Sequence, residues 1–270
     1  MIKRLKYIVP LIAVLLLFTS CGLLDDVPAF IENIYGNTET EPVSESEIPE
    51  ETEPQEPKKR VALTFDDGPA YDNETSKRLT YKIVDKLAEY GGKATFFLVG
   101  NRMNTATGAA IAYAYEHGSE IGIHAYTHDN NFSTCSESVY LKELEDTKNA
   151  IIKYAGVTPT VFRPPYGSLD KMRAEMSGYP VIMWNVDSED WKHRGQSTEA
   201  ISKQNIDTIV NKIMSEVEDG DIILMHEIYK NSCEAALIVI DRLIAEGYEF
   251  VTVSELLGDM TAGSIYYNAE

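Results

Sequence analysis

His124 and His128 stand four residues apart, and a third histidine, His226, closes the apolar run DIILMH, in a chain that has only five histidines. Two imidazoles at that spacing can reach one metal ion, which alone is a weak signal. A carboxylate added to them gives a two-His, one-carboxylate set, leaving coordination positions open for water and substrate as catalytic zinc sites require. Two adjacent carboxylates, Asp66 and Asp67, occur in TFDDGP. Side by side they repel, and burying both without a cation is costly. One serving as metal ligand and the other as base resolves the conflict. Neighbouring residues of a strand point to opposite sides, so the turn at Gly68-Pro69 has to redirect one of them. Asp-Asp-Gly-Pro is also a common strand-capping turn, and only the combination with the histidines favours a site.

The elements that must position these groups show in the apolar patterning. The runs 61–65, 94–100, 120–124, 160–163, 181–186, 221–226 and 249–253 read as buried strands. Amphipathic stretches at 75–91, 136–156, 201–218 and 233–247 read as helices, three of them ending in Gly91, Gly156 and Gly247. Alternating strands and helices imply a parallel sheet with covered faces. Seven such units in roughly 200 residues favour an α/β fold, an incomplete barrel rather than an open doubly wound sheet. No glycine-rich loop follows the first strand, so nucleotide binding has no support. Catalytic groups in such folds sit at the carboxyl ends of strands, where Asp66, Asp67, His124, Arg163, Asp187, Asp190, Trp191 and His226 all fall.

The chain of 270 residues carries 43 acids and 24 bases, a net charge of -19, with 44% hydrophobic residues. That composition can build a core and excludes a wholly disordered chain. The acidity argues against nucleic-acid partners, and three cysteines are too few for a disulfide scaffold. The charge is unevenly placed. Lys3, Arg4 and Lys6 lead into an apolar run, Tyr7 to Phe18, shorter than the roughly 20 residues of a membrane span and suited to an export signal. It ends in Thr19-Ser20-Cys21-Gly22, which resembles a bacterial lipobox with Phe18 where Leu is usual. Residues 1–20 are thus expected to be a lipoprotein signal peptide, with Cys21 the lipidation site. Residues 22–57 contain eleven acids and no Lys or Arg. Residues 21–59 are expected to form an acidic tether that cannot bury enough surface to order itself. A catalytic domain should span 60–258, and the tail 259–270 carries no readable role.

The stretches at the strand ends resemble the five motifs of the polysaccharide deacetylases, carbohydrate esterase family four. The first is Thr64-Phe65-Asp66-Asp67-Gly68-Pro69, the second His124-Ala125-Tyr126-Thr127-His128 and the third Arg163-Pro164-Pro165-Tyr166-Gly167. The fourth is Asp187-Ser188-Glu189-Asp190-Trp191 and the fifth Leu224-Met225-His226. They stand in the family's order. The resemblance implies a distorted (β/α) barrel and a divalent metal, usually zinc with cobalt or another ion possible, held by Asp67, His124 and His128. It implies Asp66 as general base, His226 as general acid and Arg163 as the residue orienting Asp66. Asp190 would stabilise protonated His226, and the backbone N–H of Tyr166 would stabilise the oxyanion. Trp191 and Leu224 would wall the pocket for the acetyl methyl.

Two positions depart from the pattern: Ala125 replaces a Ser or Thr whose hydroxyl braces the loop, and Glu227 stands where Asp is frequent. A looser surround for the metal is expected from the first, and no role is assigned to the second. Cys135 and Cys233 are expected to be buried free thiols, with a disulfide as the alternative. Tyr126 and Phe132 are candidate sugar platforms, and His193 and Arg194 either line the cleft rim or are solvated. The implied function is removal of N-acetyl groups from an extracellular polysaccharide, with peptidoglycan N-acetylglucosamine the natural substrate of a monomeric enzyme lipid-anchored outside the cell membrane. Acetylxylan and chitin oligomers are the alternatives. A non-haem iron oxygenase shares the donor set, but the spare Asp66, the acid His226 and the export signal favour hydrolysis. The complete acid–base set argues against a wall-binding lipoprotein without activity.

Overall fold

β1 (Lys59–Gly68) is the longest strand of a curled parallel sheet and carries the first two carboxylates at its end. The computed structural model describes residues 58–70, 78–194 and 198–269. The signal, Cys21 and nearly all of the tether therefore lie outside the described residues. β1 pairs with β2 (Thr95–Leu98) on one side and β7 (Ile222–Met225) on the other, while its first residues pair with β8 (Tyr248–Phe250). Outward from β2 follow β3 (Glu120–Ile123), β4 (Val161–Phe162), β5 (Val181–Ile182) and β9 (Ile265–Tyr266). β6 (Val186–Asp187) lies outside β7. Every one of these ladders is parallel.

The period of two along the strands sorts the core into two layers. Val61, Leu63 and Phe65 face the helices, and Phe65 stacks on Phe96 at 5.3 Å. Ala62, Phe97, Val161, Ile182 and Ile222 fill the inside of the curl. Thr64 and Asp66 share the parity of Ala62, and Arg163 that of Val161, so the alternation that builds the core also aims these polar groups inward. Below them α7 (Val253–Leu257) contributes Val253 and Leu256 to the inner layer.

The outer layer holds α1 (Leu79–Ala88), α2 (Thr105–Glu116), α3 (Glu137–Ala155), α4 (Lys171–Ser177), α5 (Glu199–Met214) and α6 (Lys230–Ala245). α3 starts on the Ser136 cap and stops at Gly156, whose φ of 72° is the left-handed stop expected of it. α2 was not expected: TATGAAIAYAYE has small apolar residues around much of its circumference rather than one stripe, so its periodicity is faint. A capping box between Asn104 and Thr107 sets its start.

Two strand expectations are corrected. The run 181–186 breaks into β5 and β6 because the Asn185 side chain takes over pairing, accepting from Ile222 N at 2.9 Å and donating to Asp221. The run 249–253 ends at Phe250, where the Thr252–Glu255 capping box starts α7. The tail has a structural role: β9 pairs with β5, and Ala269 N donates to Gly220 O at 2.9 Å beside the antiparallel Asp221–Asn268 bridge. It thus reaches from the β5 edge to the entry of β7, spanning the gap where the barrel ladder does not close. Among the described residues no helix is long and apolar enough to cross a membrane.

Candidate active site

Asp67 leaves β1 with φ 68°, a left-handed conformation that turns its carboxylate away from the strand alternation. Asp66 keeps the strand geometry and stays inside the curl. That single backbone reversal separates the two carboxylates. Ala125 (φ 63°), His128 (φ 57°), Tyr166 (φ 61°) and Glu189 (φ 55°) are the other non-glycine residues with positive φ among the described residues. Each such residue costs about 1–2 kcal/mol, and all five lie at the end of β1 or in the stretches that follow β3, β4 and β6. The strain is confined to the polar end of the sheet.

One ligand atom from each of Asp67, His124 and His128 lies within 4.8 Å of the others. His128 Nε2 is 3.1 Å from Asp67 Oδ1, and His124 Nε2 is 3.6 Å from it. Asp67 Oδ1 is buried and makes no hydrogen bond. His124 Nδ1 lies 2.8 Å from Arg163 O, an acceptor that requires the proton on Nδ1 and leaves Nε2 as a bare donor atom. Burial lowers the His124 pKa to about 3, which keeps the ring neutral. An orphaned carboxylate oxygen and a neutral imidazole nitrogen directed at one point are what a divalent cation requires, and the donor set fits one.

Asp66 lies against this cluster, its Oδ2 3.6 Å from His124 Nε2. Arg163, fully buried, donates from Nη1 to Asp66 Oδ1 at 2.8 Å and to Thr64 Oγ1 at 2.7 Å. Its Nε and Nη2 donate to Ile182 O at 3.0 Å and Met183 O at 2.8 Å, and its guanidinium packs 4.2 Å from the Phe97 ring centroid. Burial raises the Asp66 carboxyl above its ordinary value, opposed chiefly by the charge of Arg163. His226 Nδ1 lies 2.7 Å from Asp190 Oδ1, and its backbone N–H donates to Asp190 Oδ2 at 2.7 Å. Burial disfavours the His226 cation, but the hydrogen bond and charge of Asp190, with Asp66 and Asp67 adding to them, push it up to about 9. The site therefore holds a buried carboxylate braced by a cation and a histidine whose protonated form is favoured by an anion.

Tyr166 is 59% exposed, its ring edge-on to His128 at 4.7 Å and its hydroxyl donating to Asn130 Oδ1 at 2.5 Å. Trp191 is 44% exposed on the turn after Asp190, and Leu224 is buried in β7. Phe132 is not a sugar platform: it is 2% exposed and packs against Tyr140 and Phe162 in the core. His193 is tied to α5 and α6 through Asn205 and Asn231, and Arg194 Nη1 donates to the Tyr229 hydroxyl at 3.4 Å. Cys135 and Cys233 are both free. Cys233 is buried, which pushes its thiol up to about 12, whereas Cys135 is only half-buried.

Several contributors had no assigned part in the sequence. Thr64 Oγ1 relays between Arg163 and Ile223 O, to which it donates at 2.6 Å. Glu143 on α3 accepts from the metal-loop residues Tyr126 and Thr127. Arg102 donates to Asp67 O. Glu227 is fully buried beside Gly68 with no hydrogen-bond partner for either side-chain oxygen, and burial pushes its carboxyl up to about 8. A Cβ at position 68 would lie 2.0 Å from Glu227 Oε1, so a larger residue there would require the buried Glu227 side chain to move. Thr64 and Glu227 stand in or beside quoted motifs, whereas Glu143 is one acid among many on an exposed helix.

The chain is 39% identical over 210 residues to the peptidoglycan-N-acetylmuramic acid deacetylase of Bacillus subtilis, matching 77% of this chain and 41% of that protein. It is 36% identical over 211 residues to the peptidoglycan-N-acetylglucosamine deacetylase of Listeria monocytogenes, matching 78% of this chain and 41% of that protein. The chain thus spans about two fifths of the length of these curated relatives. Among solved structures, the family 4 acetyl xylan esterase from Clostridium thermocellum, in complex with a cobalt ion, superposes with a TM-score of 0.66 at 33% identity. That match covers 78% of this chain and 98% of the esterase. The polysaccharide deacetylase family model matches residues 53–180, a range that takes in Asp66, Asp67, both loop histidines and Arg163. The likeness thus extends over the whole barrel as well as the metal cluster, and the chain belongs to the polysaccharide deacetylase family.

Proposed function

We propose that the protein removes N-acetyl groups from peptidoglycan N-acetylglucosamine, using a divalent ion, zinc or cobalt, held by Asp67, His124 and His128. The observation that carries this reading is the pairing of a cation-ready cluster with two oppositely tuned groups, Asp66 on Arg163 and His226 on Asp190. A divalent ion bound there supplies Lewis acidity, polarising the acetamide carbonyl and lowering the pKa of a bound water. Asp66 accepts the water proton as the oxygen attacks the carbonyl carbon. The backbone N–H of Tyr166, fixed by its left-handed turn, meets the developing oxyanion. The proton on His226 passes to the departing nitrogen as the C–N bond breaks, releasing acetate and a free amine. Trp191 and Leu224 wall the acetyl pocket.

The relatives act on different acetylated glycans, including N-acetylmuramic acid and xylan, so the sugar is decided by experiment. Peptidoglycan fragments, chitin oligomers and acetylated xylan incubated with the full chain should separate by mass spectrometry. Peptidoglycan glucosamine should lose about 42 Da per acetyl group in a metal-dependent way. Chelation should abolish the loss and added zinc or cobalt restore it. Acetate release from xylan alone would favour the esterase reading, and glycan binding without any release would overturn the enzyme reading.

The chain is further proposed to act as a monomer outside the cytoplasm, lipidated at Cys21 and held to the membrane by the acidic segment of residues 21–59. The support is the basic, apolar and small-residue order of residues 3–21. Cys21→Ser should move the protein from the membrane pellet to the soluble fraction, and unchanged fractionation would sink the anchor.

A further inference from the structure

In the loop that carries both histidine ligands, Ala125 is held in the left-handed region at φ 63° and has no polar side chain of its own to brace the turn. Its carbonyl side is fixed by β2's exit: Gly100 N donates to Ala125 O and Asn101 N to Tyr126 O, both at 3.0 Å. Its amide side is fixed from outside. Tyr126 N and Thr127 N each donate to Glu143 Oε2 at 2.8 Å, and Thr127 Oγ1 donates to Glu143 Oε1 at 3.0 Å. Three donors of one loop therefore converge on one carboxylate, lying in sequence between the two ligands. Hydrogen bonds to a charged acceptor are stronger than neutral ones, and these three oppose the strain of the left-handed residues at 125 and 128. Glu143 itself sits mid-helix, one turn before Thr147, whose hydroxyl donates to Glu143 O at 2.6 Å.

We infer that Glu143 is a positioning residue for the metal site, bracing the His124–His128 loop from α3. The inference rests on the reading of Asp67, His124 and His128 as metal ligands. Glu143 does not touch the ligand atoms. It fixes the backbone between them, so that the two Nε2 atoms are preset before an ion arrives and no ordering of the loop is subtracted from binding. A residue in such a role typically accounts for 10- to 100-fold in metal affinity.

The test is cobalt and zinc affinity, measured by chelator competition on the full metal-free chain. Glu143→Ala should bind either ion about 10- to 100-fold more weakly, while its metal-free form still unfolds cooperatively. Glu143→Gln should bind nearly as the parent does, because its carbonyl oxygen keeps the two backbone donors. Thr127→Val, which removes one bond of three, should fall between them and guards against a Glu143→Ala chain that fails to fold. Parent and Glu143→Ala chains of equal affinity would overturn the inference alone. A parent chain that takes up neither ion would overturn the reading of the metal site and this inference with it.

Discussion

Asp66→Asn is expected to abolish acetate release, by about 10²- to 10⁴-fold or more, while leaving uptake of zinc or cobalt intact. The substitution is nearly isosteric and keeps an acceptor for Arg163 Nη1, but the amide cannot take the water proton. The three proposed ligand atoms belong to other residues. The pH profile should report the same division. Asp66 must be ionised to act, and burial places its carboxyl above the ordinary range, so activity rises as pH climbs through that raised value. His226 must be protonated to act, and its pKa of about 9 places the fall on the alkaline side. Asp190→Asn removes the charged partner that outweighs the burial of His226, so the alkaline limb should move to lower pH, while the acid limb stays near its place. Acetate release followed across pH for the parent and both variants checks this. Substantial activity in Asp66→Asn, or an alkaline limb that does not move in Asp190→Asn, would overturn the assignments.

How much of this could be read from the sequence depends on whether the information is local. The strands of the inner layer were legible because burial on both faces writes continuous apolar runs, as in VALTF and DIILMH. α3 was legible because its Ser136 cap and Gly156 stop bracket one apolar stripe. The break at Trp184–Asn185 was not, since it depends on Asn185 finding Asp221 on the neighbouring strand, a contact no window of residues contains. β9 was illegible for the same reason: IY between polar residues is too short to register, and its pairing with β5 alone makes it a strand. At the site, chemistry-bearing residues at strand ends were visible, and the separation of Asp66 from Asp67 was foreseen as a turn. That the turn is achieved by a left-handed Asp67 is a property of the backbone. Phe132 was misassigned because an aromatic beside the ligand loop reads alike whether it points at the cleft or at Tyr140 and Phe162. Glu143 was missed because only the fold shows which of several acids on α3 faces the loop.

Arg163→Met is expected to be strongly destabilising, by about 3–5 kcal/mol. The side chain is wholly buried, and its volume can be filled by methionine, so the loss is not chiefly a cavity. What is lost is charge balance: Asp66 is 3% exposed, and its Oδ1 would lose its hydrogen-bonded cation, leaving the more distant charge of His226 to oppose burial. Thr64 Oγ1, Ile182 O and Met183 O lose their donors at the same time. Arg163→Lys should recover only part, because one ammonium cannot reach four acceptors arranged around a planar fork. The decisive comparison is the double variant Asp66→Asn with Arg163→Met. If the buried carboxylate is the source of the penalty, removing its charge should make the pair less destabilising than the two single losses together. Urea unfolding of the metal-free proteins measures this. A parent-like midpoint for Arg163→Met would contradict the electrostatic account. Additive losses in the double variant would place the cost in the orphaned carbonyls of the β5 segment instead. Because the guanidinium is inserted between Asp66 and the carbonyls that follow β5, and its own carbonyl fixes the His124 tautomer, one buried cation couples three strand ends. A loss of stability there should therefore be accompanied by weaker cobalt binding, even though Arg163 contributes no ligand.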